Sequence, residues 1–147
     1  LLHWVQRNFP GKAAAMRARL AQWGGNASGL WISNIDNLGN VHPDTFWWDY
    51  SLGNVRERPF SQIWPDTSDP LMAGFKRQPR PVKGRCGERR YLDICGGNTR
   101  VRAWSLTGDP WQEDPACYLT DEEIGASGEH ERLQVTPYRR TVRIHSA

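Results

Sequence analysis

Three thiols are the side chains in this sequence best suited to chemistry. Cys86, Cys95 and Cys117 are spaced C-x8-C-x21-C. Gly87 follows Cys86, and Gly96–Gly97 follow Cys95; glycines allow tight turns whose backbone amides approach a ligand. Cys117 lies in a loop bounded by Pro115 and is not part of an apolar face. Lys76, Arg77, Arg80, Lys83, Arg85, Arg89 and Arg90 crowd positions 76–90, and such surroundings favour the thiolate, which is the ligand form. Spacing alone leaves three buried structural cysteines as an alternative. A zinc site normally shows paired C-x2-C knuckles, whereas one thiol stands at each place here. His42 or His130 could complete a Cys3His set, but neither has a spacing that commends it. Iron–sulfur clusters take thiolates on turns from distant parts of a chain, which suits the pattern better.

The elements that must position these thiols have to come from a chain of 147 residues, enough for one compact domain. Its formal charge is +3, and the basic run reads as a solvated loop or an anion-facing surface. Aromatic residues are not interleaved with that run as single-strand platforms require, so nucleic acid is not an expected partner. Mean hydropathy is −0.70, and no apolar run approaches the ~18 residues of a membrane span. The start, LLHWVQRNFP, has neither a secretory signal pattern nor an initiator Met. The expectation is a cytoplasmic fragment with sequence missing before Leu1. An odd cysteine count in such a chain argues against a disulfide framework. Eight tryptophans either fill a thin core or form a wall that shields a cofactor or stacks on a flat ligand.

Along the chain, NFPGKAAAMRARLAQWGG reads as one helix. Asn8 caps it, Pro10 lies in its first turn, Ala13, Met16, Leu20 and Trp23 form an apolar stripe, and Gly24–Gly25 stop it. Leu30 to Ile35, a turn at Asp36, Asn37 and Gly39, and a strand from Val41 read as a hairpin that Pro43 ends or confines to an edge. Ser61 and Asp69 are candidate caps of short helices to Trp64 and to Phe75. Thr99 to Leu106 favours a short helix, GDPWQEDPACYL a loop, 119–132 an acidic turn-rich stretch, and RLQVTPYRRTVRI a late strand or tail.

Four stretches, NIDNLGNVHPDTFW, LGNVRERPFSQIW, RCGERRYLDICGGNTRVRA and LTGDPWQEDPACYL, together resemble the C-terminal region of the radical SAM proteins of haem d1 biosynthesis, from about Trp23 to Glu123. The resemblance implies a SPASM/twitch-like domain carrying an auxiliary 4Fe–4S cluster. Gly39 matches the glycine of the wider class, but Asp44 stands where a cysteine would follow it, and Thr99 stands at another ligand place. One of two auxiliary clusters is therefore not expected. For the other, the pattern calls for Cys86, position 89, Cys95 and Cys117. Position 89 is Arg89, which has no lone pair for a metal, so a fourth ligand would come from Glu88 or from outside, or the cluster is lost. The CxxxCxxC motif that binds S-adenosylmethionine and the catalytic cluster is absent from this chain, so the radical-generating barrel is expected elsewhere.

The resemblance implies an α+β domain organised as residues 1–25, a helix linking to the missing barrel; 26–125, the cluster domain; and 126–147, a C-terminal tail. Its implied role is electron transfer and positioning of a sirohaem-derived tetrapyrrole during propionate removal, with haem d1 pathway proteins as partners and without catalysis by this chain alone. Metal: Cys86, Cys95 and Cys117. Carboxylate anchors: Arg85, Arg90, Arg100 and Arg102, since guanidinium forks suit bidentate contacts. The alternative is a metal-free docking module for a tetrapyrrole or a pathway partner.

Overall fold

The computed structural model describes residues 1–87 and 90–126. The start of the chain departs from the single helix expected of it. Pro10 lacks an amide and drives its predecessor out of the helical region; Phe9 has φ −143° and ψ 62°. The chain therefore breaks into α1 (Leu2–Asn8), a tight turn at Pro10–Lys12, and α2 (Ala13–Trp23). Asn8 ends α1, donating its side-chain amide to the Trp4 carbonyl at 2.8 Å, and does not cap α2. Gly24 closes α2 as expected, its amide reaching the Leu20 carbonyl at 3.0 Å. Of the expected stripe, Met16 and Leu20 pack inward, while Trp23 is exposed.

The hairpin forms, in a short version. β1 (Asn34–Ile35) pairs antiparallel with β2 (Val41–His42), Asn34 opposite His42 and Ile35 opposite Val41. Asp36 builds the turn, accepting from the amides of Leu38 at 2.9 Å and Asn40 at 2.8 Å and from the Asn40 side chain at 2.9 Å. Those bonds, the Asn40 side chain foremost, hold its carboxyl down at about 2. Pro43 follows the last paired residue. His42, weighed above as a metal ligand, is buried with Nδ1 2.8 Å from the Tyr50 carbonyl and Nε2 3.6 Å from Asp36 Oδ2.

Short helices follow: α3 (Phe60–Ile63), α4 (Pro70–Lys76), α5 (Gly84–Gly87), α6 (Leu92–Cys95), α7 (Arg100–Thr107) and α8 (Asp121–Ile124). Asp69 caps α4 through the Met72 amide at 2.9 Å and also accepts from the Tyr50 hydroxyl at 2.8 Å. Burial, together with that carboxylate, pushes Tyr50 up to about 12. Ser61 does not cap α3, because Pro59 holds that place. At α8, Thr120 and Glu123 form a reciprocal capping box.

Two hydrophobic cores result. The first centres on Trp47, Leu71, Met72 and Phe75, with Tyr50, Trp64, Val101, Trp104 and Trp111 against it. Trp47 meets Phe75 and Tyr50 edge-on, each at 5.9 Å between ring centroids, the favourable aromatic geometry. The second core centres on Leu2, Tyr91 and Ile124, with Met16, Leu20, Ile94 and Leu119. His3 on α1 and Glu123 on α8 pair beside it at 3.0 Å. The chain passes from the second core at Leu20 to the first at Trp47 and then crosses between the cores three more times: from Phe75 to Tyr91, from Ile94 to Val101, and from Trp111 to Leu119. Each of these three later crossings contains one cysteine. Among the described residues, no helix is long and apolar enough to cross a membrane.

A side chain at Gly74 on α4 would run into the indole of Trp111. Gly74→Ala should overpack the first core and cost about 1–3 kcal/mol, read as a lower urea midpoint with an unchanged slope.

Candidate functional site

Each thiol sits on a different turn. Cys86 lies on α5 and is 1% exposed; its Sγ accepts from the Asp114 amide at 3.2 Å. Cys95 ends α6 and is half-buried. After it, Gly96, Gly97 and Asn98 are all left-handed, with φ 57°, 76° and 60°, a run that glycine and asparagine tolerate. This reversal brings the Gly97 amide to 3.3 Å from Cys95 Sγ. Cys117 is half-buried, and its amide donates to the Asp114 carbonyl at 3.0 Å. All three cysteines are free of disulfides.

Asp114 ties the three turns together. Its amide holds the Cys86 sulfur and its carbonyl holds the Cys117 amide. Its carboxylate accepts from Asn98 Nδ2 at 2.9 Å, three residues beyond Cys95. The same carboxylate takes a two-pronged contact from Arg102, at 3.0 and 2.7 Å, and the Ala116 amide at 3.1 Å. Asp114 is 3% exposed. Burial opposes its ionisation, but the Arg102 bond, the Ala116 amide and the charges of Arg102 and Arg100 outweigh it, so its carboxyl is held below the usual range.

The four arginines read as carboxylate anchors are drawn into joining these loops. Arg85 donates to Asp121 at 2.7 Å and to the Leu119 carbonyl at 2.5 Å, linking the Cys86 turn to the stretch after Cys117. Arg90 reaches the carbonyls of Glu122 and Glu123 at 3.0 and 2.9 Å and lies over the Tyr91 ring. Arg100 is fully buried, its fork spent on the carbonyls of Gly97, Pro110 and Gln112. Arg102 keeps 38% of its side chain exposed beside Asp114. Glu88, Arg89 and His130, the expected strand in RLQVTPYRRTVRI and most of the 126–147 tail lie outside the described residues.

A cleft of about 430 Å³ opens against Cys95, walled by Trp4, Leu20, Tyr91, Ile94 and Tyr118, with His3 and Glu123 also lining it. A shallower recess of about 540 Å³ lies between Phe46, Val101, Leu106, Pro115 and Arg102. Asp114 and Arg80 were missed as site residues in the sequence. A signal for Asp114 was present, since the Asp-Pro pair before Cys117 favours a turn whose side chain bonds its own backbone.

The donor set suits an iron–sulfur cluster chemically: three thiols on turns, with the sulfurs of Cys86 and Cys95 each receiving a backbone N–H, the kind of bond that tunes cluster potentials. Among the described residues, no three His, Cys, Asp or Glu side chains converge as ligands of a single metal ion. A cluster spreads its thiolates over several irons and is a wider object than one ion.

No family model matches the chain, and no solved structure does. Among proteins of known function, the chain is similar to haem synthases. It is 52% identical over 138 residues to pre-heme d1 synthase of Dinoroseobacter shibae, covering 93% of this chain and 34% of that protein. It is 51% identical over 119 residues to Fe-coproporphyrin III synthase of Methanosarcina barkeri, covering 79% and 30%. It is 35% identical over 83 residues to AdoMet-dependent heme synthase of the same organism, covering 56% and 22%. The chain is similar to one region of these radical SAM haem synthases and spans about a third of the length of the pre-heme d1 synthase it matches.

Asp114→Asn removes a charged acceptor from Arg102 and should lower stability at neutral pH by about 2–3 kcal/mol. Because the native carboxyl is depressed, its contribution is present above the unfolded value near ~4 and is lost as pH falls below it. Urea titrations across pH should therefore show a shallower acid limb in the variant than in the wild type.

Proposed function

We propose that this chain is the accessory iron–sulfur part of a radical SAM enzyme of haem d1 biosynthesis, and that it positions a sirohaem-derived tetrapyrrole while propionate side chains are removed. The observation that carries this reading is the meeting of three cysteine-bearing crossings on one buried residue, Asp114. The relatives, synthases of pre-heme d1 and Fe-coproporphyrin III, support the substrate class. Cys86, Cys95 and Cys117 would hold the cluster, which when bound exchanges single electrons.

The rest falls to the chain's own residues. The Asp114 and Gly97 amides hold the sulfurs of Cys86 and Cys95. Tyr91, Ile94 and Leu119 exclude water around the crossings. The apolar cleft at Cys95 suits the edge of a flat macrocycle. Arg102, half-exposed beside the second recess, suits a propionate, with Arg85 and Arg90 nearer the Cys86 turn and Arg100 acting within the scaffold. S-adenosylmethionine would bind in the barrel, which acts as a partner together with haem d1 pathway proteins in the cytoplasm. The fold assignment that goes with this reading is the SPASM/twitch-like domain.

Anaerobic reconstitution with iron and sulfide should load roughly four irons per chain, and Cys95→Ser should lose most of that iron while keeping its circular dichroism. A normally folded wild-type chain that takes up no iron would sink the cluster. Tryptophan quenching by a sirohaem-type ligand in that metal-free chain would then favour the docking module.

A further inference from the structure

Arg80 stands in the basic run whose plainest reading is a solvated loop, yet it is 4% exposed. Its side chain passes over the Phe75 ring of the first core, 4.9 Å from the centroid, and ends at the Cys95 turn. One terminal nitrogen donates to the Gly96 carbonyl at 3.1 Å and to Asn26 Oδ1 at 3.4 Å. The other donates to the carbonyls of Asn26 and Ser28, both at 2.9 Å. The buried Nε–H meets no acceptor among the described residues.

The turn it grips is held on every side. Gly25 lies so close to the Cys95 carbonyl that a side chain there would collide with it. Arg100 donates to the Gly97 carbonyl of the same turn. Two buried guanidinium groups thus face one left-handed turn, and the oxygens that receive Arg80 are all neutral. A buried cation with neutral partners is costly, and an anion at the turn offsets that cost. Burial first, and the Arg100 charge second, pull Arg80 down to about 10, while the Cys95 thiol acts in the opposite direction.

We propose that Arg80 is the positioning residue of the Cys95 arm: its fork fixes the turn that aims the thiol, and its buried charge matches that corner to an anionic centre. The anion is the thiolate-bound cluster of the proposed function, so the charge half of the inference rests on that reading, while the positioning half stands without it.

The test compares the 147-residue wild type with Arg80→Gln and Arg80→Lys. In the chain without iron, amide hydrogen exchange at Gly96, Gly97 and Asn98 should quicken at least about tenfold in Arg80→Gln, with α4 and α7 unchanged. In the reconstituted chain, losing the charge should make reduction about tenfold less favourable, a shift of about 59 mV to more negative potential. Arg80→Lys keeps the charge and loses the fork, so it should exchange faster yet hold a potential near the wild type. Unchanged exchange in both variants overturns the positioning role. A full cluster at the wild-type potential in Arg80→Gln overturns the charge role. A wild-type chain that takes no iron overturns the proposed function, and exchange alone then decides for or against Arg80. If Arg80→Gln does not fold, Arg80→Lys carries the exchange measurement.

Discussion

The described structure depends on a buried carboxylate that is never left without donors. Asp114 is almost wholly removed from water, which would be prohibitive for a lone charge. Two prongs of Arg102, the Asn98 amide and the Ala116 N–H satisfy it, while its backbone serves the turns of Cys86 and Cys117. Charge-assisted bonds of this kind are short and directional, so they fix where the loops lie as well as that they meet. The Cys86 and Cys95 turns are otherwise built from helices of four residues, too short to hold themselves.

Arginine is the commonest connecting device around that point. Arg85, Arg90 and Arg100 each donate to carbonyls of the short helices and loops, those of Leu119, Glu123 and Gln112 among them, which gives backbone acceptors near helix ends and turns their partners. A planar fork with five donors does this better than lysine could. Two buried arginines, Arg80 and Arg100, and two buried carboxylates, Glu113 and Asp114 on the loop before Cys117, therefore share the interior around the thiols.

Local chemistry was legible in the sequence. Asp69 as a cap, the Asp36 turn, Pro43 ending a strand, Gly24 closing α2 and the helix near Arg100–Thr107 each depend on a few neighbouring residues. The separate helix α1 was not read, because Pro10 is equally at home inside a first turn; in the structure Pro10 ends α1 instead, and that helix carries Leu2 into the second core. The capping box at Thr120 and Glu123 was there to be read as T-x-x-E. The linking roles of Arg80 and Arg85 were not, because the partners that fix them include residues tens of positions away in sequence: Arg80 meets Ser28, and Arg85 meets Asp121. The same holds for the tryptophans. Trp47 is sealed in the core while Trp31 and Trp48 face solvent, and composition treats them alike.

The pairing of His3 with Glu123, and of Leu2 with Ile124 in one cluster, brings the first and last helices of the described chain to one corner. Ends of a fold that lie this close together tolerate circular permutation and insertion into a host loop, so the wiring between α1 and α8 would survive a change in where the covalent chain is cut.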